Sequence, residues 1–457
     1  MGDYHQMLSE AAEAAGGQLS GPDAAYDGVS TDTRNIKPGQ LFVALKGPNF
    51  DGHDYVQDAL NKGAAGVMIS HALEIDVPQI IVSDTQWALG QLAIAWRNHF
   101  SIPFVAVTGS NGKTTVKEMI TSILLQQGTV LSTRGNFNNE LGVPLTLLQL
   151  NTSHDSAVIE EGARHQGDIA YLTKLVKPTV AVVTNAAGAH LEGFGSLEVV
   201  ANTKGELFEN LPENGIAIIN ADDQYAAMWK SMAGKRDVIT FGINADADVK
   251  GELQETHNCI GCVLKINSPI GDCVVSLLLP GQHNAMNALA ATAASIAVGI
   301  ELDVIKKGLE AVKPVPGRLQ WKNGVNNARI LDDTYNANPS SLAAALNVLS
   351  ECPGDHYLAL GDMAELGAET KGYHQQAGRQ ARSSGVHRLY AVGEYARYAV
   401  EAFGDQAWHF SRQEQLVDQL REDLTADVTL LVKGSRSAHM DKVVEALEMH
   451  QAVGSTG

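Results

Sequence analysis

The amino-acid sequence predicts an α/β protein of three domains, the central one a P-loop-type, mostly parallel sheet with helices on both faces. Three observations carry that expectation. The chain has 457 residues, 44% of them hydrophobic, which is about three domains of ordinary size with ample apolar material for packed cores. Short apolar runs at Ala157–Ile159, Val180–Val183 and Ile216–Ile219 alternate with helical stretches, the pattern of a parallel sheet covered on both faces. The third is a strand, glycine turn and helix around which the rest of the chain is organised.

That stretch begins with Phe104-Val105-Ala106-Val107, a buried strand by its unbroken apolarity. Thr108-Gly109-Ser110-Asn111-Gly112-Lys113-Thr114-Thr115 follows, and then Val116, Met119, Ile120, Ile123 and Leu124 recur at helical spacing, with Gly128 as the expected cap. Strand, turn, Gly-Lys-Thr and helix form a phosphate cradle. Gly109 and Gly112 let backbone N–H groups approach phosphate oxygens, Lys113 brings a point charge, and the Thr114 hydroxyl is placed to meet Mg²⁺. The usual G-x-x-x-x-G-K spacing would need glycine at position 107, where valine stands. The turn is therefore shorter than the standard loop.

A formal net charge of −19 argues against polynucleotide partners, which need a basic face. No apolar run approaches the ~20 residues of a membrane span. Met1 to His5 is acidic and leads into no apolar stretch, so no secretory leader is expected. Four cysteines include Cys259-Ile-Gly-Cys262, with Cys273 further on. Val263 to Ile266 and Val274 to Leu277 flank Ser268-Pro269-Ile270-Gly271 as two strands of a hairpin, and no histidine cluster completes a zinc site. Reduced structural thiols in a cytoplasmic protein are expected.

Residues 1–95 form the first expected domain, 96–313 the second and 314–457 the third. In the first, Ser30-Thr31-Asp32-Thr33-Arg34 follows a short strand. That cluster suits either a planar base or ribose, or an Asx-type turn with a surface arginine. Asp51 to Asp54 opens a helix running to Gly63. In the second, Pro280-Gly-Gln-His-Asn284 introduces an alanine-rich helix to Val298, apolar all round and hence buried between layers. Val312-Lys-Pro-Val-Pro-Gly-Arg318 is a stiff linker. Beyond it, strands are expected at Tyr357–Leu360, Leu389–Val392 and Val428–Val432, and no G-x-G-x-x-G follows any of them.

Candidate chemistry sits at strand ends. Ala157 to Ile159 delivers Glu160, as the acidic Mg²⁺ residue of P-loop enzymes is delivered. Val180 to Val183 leads through Thr184-Asn185 to His190, which would face the same crevice because ligands bind at strand carboxyl ends. On spacing alone His190 is as compatible with a satisfied loop histidine. Asn284 and Asn287, one turn apart, can hydrogen-bond an adenine or cap a helix. Leu331-Asp-Asp-Thr-Tyr-Asn-Ala-Asn-Pro339 ends a strand in more polar side chains than a turn needs.

Assembled, these residues resemble the Mur ligase family of ATP-dependent peptidoglycan precursor ligases over about Ser30 to Val444. Family-wide marks are Thr108 to Thr115, Glu160, His190, Pro280-Gly-Gln-His-Asn-Ala-Met-Asn287 and Gly317-Arg318. Gly135-Asn-Phe-Asn-Asn-Glu-Leu-Gly-Val-Pro144, Asp332 to Pro339 and Gly361-Asp-Met-Ala-Glu-Leu-Gly367 are most similar to the branch that adds D-alanyl-D-alanine, and Ala189 to Gly195 and Lys433-Gly-Ser-Arg436 agree. The departures are Glu161, where the family usually has an apolar residue, and Arg164, where it often has Asn.

The resemblance implies a Rossmann-like third domain and a cytoplasmic, monomeric ligase using ATP and Mg²⁺. It would join D-alanyl-D-alanine to a UDP-N-acetylmuramoyl-tripeptide through an acyl phosphate, in cell-wall biogenesis. Ser30, Thr31, Asp32, Thr33 and Arg34 would lie against the uridine diphosphate; Asn138 and Asn139 on a substrate-side loop. Lys113 would meet the outer phosphates, and Thr114, Glu160, His190 and Lys204 would surround the metal, Lys204 as a carbamate. Asn284 and Asn287 would hold adenine, with Arg318 and Asp333 near ribose and phosphate. Tyr335, Asn336, Asn338, Asp362, Glu365 and Ser435 are the candidates on the third domain. Rival readings are a ligase adding the third peptide residue, a folylpolyglutamate synthetase-like ligase and a P-loop ATPase switch.

Overall fold

The computed structural model describes residues 6–188, 194–257 and 259–449. Three main sheets follow one another along the chain. The first has five strands, with Leu41–Val43 and Gly66–Ile69 at its centre, and packs between two small cores.

The middle sheet has nine strands in the spatial order Val130–Ser132, Ser156–Glu160, Phe104–Thr108, Val180–Val183, Ile216–Asn220, Asp237–Gly242, Val249–His257, Gly261–Ser268 and Gly271–Leu277. The first seven are parallel, and the last two return antiparallel as the expected hairpin. Phe104–Thr108 is fully buried, and its alternating side chains feed different cores. Val105 and Val107 pack on the face covered by the glycine-turn and alanine-rich helices, Phe104 and Ala106 on the opposite face. Each such side chain removed from water stabilises the sheet by ~1.5–3 kcal/mol.

The helix after the glycine turn spans Lys113–Leu124 and stops short of Gly128, its last turn closed by the Leu125 N–H on Thr121. The alanine-rich helix spans Gln282–Ala297 and is buried along most of its length. Asp51 caps a 3₁₀ turn at Gly52–Tyr55 before the α-helix Val56–Asn61 begins, so that segment is two helices in series.

The last sheet has six strands, Gln320–Asn323, Arg329–Asp333, Val428–Lys433, Asp355–Gly361, Arg388–Val392 and Ala407–Phe410, parallel except for the first. The cysteine expectation is corrected here. Cys262 and Cys273 are free thiols, but Cys259 and Cys352 form a disulfide with Cα atoms 5.2 Å apart. Cys259 lies in the turn before the hairpin strand, at φ 55°, rather than in the strand itself. Its partner lies just beyond the Pro339–Ser350 helix of the last domain, so the bond ties two domains that sequence spacing could not bring together.

Candidate active site

The site lies where the middle sheet changes winding direction. Phe104–Thr108 comes first in the chain among the strands around it, yet stands between Ser156–Glu160 and Val180–Val183: the chain runs from it to Val130–Ser132 on one side, returns through Ser156–Glu160 and continues on the other side, which opens a crevice at the carboxyl ends. The last domain covers that crevice and encloses a cleft of about 770 Å³.

The turn from Ser110 to Thr115 lines one wall. Gly109 and Gly112 have φ of +146° and +82°, and a Cβ on either would run into Thr184 or Asn287. Glycine is therefore required twice, by backbone conformation and by close packing. Thr108 and Gly109 sit behind the wall: Thr108 Oγ1 donates to the Glu161 carbonyl at 2.7 Å, and Gly109 O accepts from Lys113 Nζ at 2.7 Å. Lys113 also donates to Ser110 O at 3.2 Å. Desolvation in the cleft lowers its pKa, partly opposed by Glu160.

Glu160 ends its strand 2% exposed. Its Oε1 accepts from Asn138 Nδ2 at 2.7 Å, while Oε2 is buried without a hydrogen-bond partner among the described residues. Lys204, on the Leu197–Glu209 helix, is 3% exposed and also lines the cleft. Burial first, and the Lys113 charge second, push its pKa down to about 7. Near neutrality much of it is an uncharged amine, the form that adds to carbon dioxide. His190 lies outside the described residues.

The alanine-rich helix presents Asn284 and Asn287, both buried, to the same cleft beside Leu279 and Ala290. Asn284 Nδ2 donates to Pro280 O, and Asn287 Nδ2 to Asn284 Oδ1. From the last domain, Arg318 reaches across and donates to Thr114 Oγ1 at 2.9 Å, stacked over the Tyr335 ring at 4.2 Å. Asp333 and Lys433 are register neighbours at the ends of adjacent parallel strands, and their charges pair in the buried wall. Asn336 O accepts a second bond from Lys433, and Asn338 caps the Pro339–Ser350 helix while its Nδ2 donates to Asn111 Oδ1 at 2.8 Å. Asn111 in turn donates to Ser340 Oγ. These bonds stitch the last domain to the glycine turn.

Other candidates stand elsewhere. Ser30 to Arg34 do not line the cleft. Asp32 accepts from the Arg34 backbone and holds its guanidinium through both carboxylate oxygens, which is the Asx-turn geometry, with the Arg34 side chain 85% exposed. Asn139 lines the cleft but uses its Oδ1 on Gly142 N. Asp362, Glu365 and Ser435 lie outside the lining. The Asp362 carboxylate accepts three backbone N–H groups, from Glu394, Tyr395 and Ala396.

The sequence motifs include Lys433, His283 and Asn185 without assigning them a role, and all three line the cleft. Lys433 had a signal: it is a charge ending the apolar strand Val428–Lys433, as Glu160 ends its own. His283 is held neutral, its pKa pushed down to about 4 by desolvation. Asn185 receives the Asn111 N–H on its Oδ1 at 3.0 Å. Glu161, the departure beside Glu160, points away from the cleft to Thr173, which donates to Oε2 at 2.9 Å. Burial raises its pKa to about 8, and Oε1 has no partner among the described residues.

A P-loop at a sheet switch point, closed over by a second α/β domain carrying an arginine and a buried lysine–aspartate pair, defines a nucleotide-using ligase of two-domain active-site type. Comparison with known proteins gives the particular family. The Mur ligase middle domain model matches residues 107–295, the model for the Mur ligase glutamate ligase domain 317–436, and the Mur ligase family catalytic domain model 25–97. UDP-N-acetylmuramoyl-tripeptide–D-alanyl-D-alanine ligase of Escherichia coli K12 is 47% identical over 96% of this chain and 98% of its own length. A crystal structure of MurF from Acinetobacter baumannii superposes with a TM-score of 0.92 at 33% identity, covering 97% of this chain and 98% of that one. MurF of Thermotoga maritima in complex with ADP gives 0.82 at 28% identity, covering 92% and 96%. The chain belongs to the Mur ligase family.

Proposed function

We propose that this chain is the ATP-dependent ligase that joins D-alanyl-D-alanine to a UDP-N-acetylmuramoyl-tripeptide in peptidoglycan precursor synthesis. The observation that carries the reading is the meeting in one cleft of Lys113, the half-satisfied Glu160 carboxylate and Lys204 with Arg318, Asp333 and Lys433 of the other domain. The identity to the E. coli ligase over nearly the full length of both chains supports the choice of substrates.

In this reading residues 1–95 take the uridine diphosphate against Ser30–Arg34, 96–313 hold ATP, and 314–457 complete the ATP site and receive the dipeptide beside Tyr335, Asn336 and Asn338. The tripeptide carboxylate attacks the γ-phosphorus, forming one O–P bond as the bond to ADP breaks. The amine of D-alanyl-D-alanine then attacks the acyl carbon, forming C–N as the bond to phosphate breaks. Lys113 exchanges its two carbonyl partners for phosphate oxygens and neutralises the charge that spreads over them. Asn284 and Asn287 orient the adenine, and the last domain excludes water from the acyl phosphate.

The donor set fits Mg²⁺: a hydroxyl at Thr114, the partnerless Oε2 of Glu160, and Lys204, whose lowered pKa suits conversion to a carbamate that supplies oxygens. When bound, the ion would screen the phosphates and polarise the γ-phosphoryl group. Thr114 would give up its bond to Arg318 for this role, freeing the guanidinium for nucleotide. Among the described residues no helix is long and apolar enough to cross a membrane. We place the enzyme in the cytoplasm as a monomer, closing about the Val312–Arg318 linker.

The test is phosphate release from ATP and Mg²⁺ with each substrate present or omitted. The reading requires release only with both, and the pentapeptide nucleotide by mass. Release with neither would make the chain an ATPase switch. Activity instead with a dipeptide nucleotide and a diamino acid would place it one addition earlier.

A further inference from the structure

The resemblance places Asn138 with the substrate, but its amide is bonded to the enzyme's own carboxylate. Nδ2 donates to Glu160 Oε1 at 2.7 Å, a charge-assisted bond. The loop carrying it is pinned to the residues just after Glu160: Gly162 N donates to Asn138 O at 2.7 Å. A Cβ on Gly162 would stand 2.8 Å from Asn138 Oδ1, so glycine is what allows the loop to lie this close. On the other side of Glu160, its backbone N–H donates to Thr133 Oγ1 at 3.0 Å, and the Thr133 carbonyl is held at 2.8 Å by Lys117 Nζ, which is 1% exposed. Glu160 is thus fixed from the backbone and at one carboxylate oxygen, and the other oxygen is left buried without a partner among the described residues.

We propose that Asn138 is a positioning residue for Glu160, fixing the carboxylate so that Oε2 is the oxygen offered to the metal, and that it acts on catalysis through the metal rather than by holding substrate. The proposal rests on the reading of Glu160 as a Mg²⁺ ligand. The terminal torsion of a glutamate is broad and nearly two-fold, so an unanchored carboxylate exchanges its oxygens and samples non-binding rotations. One N–H bond to Oε1 removes that freedom before the ion arrives. Outer partners of this kind typically alter metal affinity or activity by ~10–100-fold when removed. Thr133 and Lys117 act on the backbone of the same residue and reinforce the orientation.

The test uses Asn138→Leu, which keeps the side-chain shape and deletes the donor, in the full-length enzyme. Mn²⁺ is titrated by electron paramagnetic resonance against the enzyme with ADP bound, and the Mg²⁺ requirement and the KM for the tripeptide nucleotide are measured in parallel. The expected result is ~10-fold weaker Mn²⁺ binding and a similarly raised Mg²⁺ requirement, with that KM within about twofold of wild type. A raised KM with unchanged Mn²⁺ binding would overturn the proposal and return Asn138 to the substrate. Glu160→Gln separates the two levels of the argument. If it binds Mn²⁺ as wild type does, the ligand role of Glu160 fails; if it loses Mn²⁺ while Asn138→Leu does not, only the positioning role fails. Should Asn138→Leu not fold, Asn138→Ala takes its place, and unchanged Mn²⁺ binding in that variant overturns the proposal.

Discussion

The central cleft and the Ser30–Arg34 turn are both rich in polar side chains, yet they are built in opposite ways. In the turn, Asp32 and Arg34 satisfy each other and the local backbone, and the guanidinium lies in solvent. In the cleft, Glu160 keeps one buried oxygen unmatched, Lys204 is buried with its pKa lowered to about 7, and Arg318 has a buried Nε without a partner among the described residues. Leaving a buried polar atom unpaired costs ~1–3 kcal/mol, so a fold keeps such atoms where a ligand completes them. Asp362, with three backbone N–H donors, belongs with the turn in this respect. The difference teaches that density of polar residues locates a cluster, whereas incomplete pairing under burial locates the chemistry where the unpaired residue also lines a cleft, as Glu160 and Arg318 do and Glu161 does not.

Substitutions can break that contrast. Lys113→Ala removes the charge proposed to face the phosphates and is expected to lower kcat by ~10²–10³-fold with the fold retained, checked by steady-state kinetics beside circular dichroism. Cys352→Ser opens a cross-link between residues 93 apart and is expected to lower stability by ~2–4 kcal/mol relative to the oxidised protein. Denaturant unfolding measures this, and titration of the unreduced, unfolded wild type should find only the thiols of Cys262 and Cys273.

Glu161→Leu tests a buried polar group that has no ligand to meet. Its folded pKa of about 8 lies above the ordinary glutamate value of 4.5. The group therefore binds more protons when folded than when unfolded between those values, and it costs stability progressively as pH rises through that window. The leucine variant is expected to be more stable by ~1–3 kcal/mol near neutrality, with a flatter dependence on pH from 4.5 to 8, read by thermal melts across that range. Arg34→Ala should do least. Loss of a surface contact to the uridine diphosphate would raise the nucleotide-substrate KM by about tenfold, near 1.4 kcal/mol, and leave kcat unchanged, read by steady-state kinetics.

Much of this was legible in the sequence because it follows from local pattern. The strand–turn–helix at residues 104–124, the parallel alternation and the strand-end position of Glu160 need only periodicity and glycine placement. The P-loop defect at Val107 did not matter, since the packing of Gly109 and Gly112 against Thr184 and Asn287 sets the turn. What could not be read depends on approach between distant segments. Cys259 and Cys352 meet only because the hairpin docks on the last domain, and Lys433 gains its role only beside Asp333 on the neighbouring strand. The pairing of Asp362 with residues 394–396 is of the same kind, a turn after an inner strand completed by a carboxylate about thirty residues earlier.

The most direct measurement labels the terminal carboxylate of the UDP-N-acetylmuramoyl-tripeptide with ¹⁸O and follows the label by mass spectrometry during turnover with ATP and D-alanyl-D-alanine. An acyl phosphate formed in this cleft requires one ¹⁸O atom in the inorganic phosphate released with each amide bond. Phosphate free of label would show that the carboxylate never attacks the γ-phosphorus, and the account of the site as a carboxylate-activating ligase centre would be contradicted.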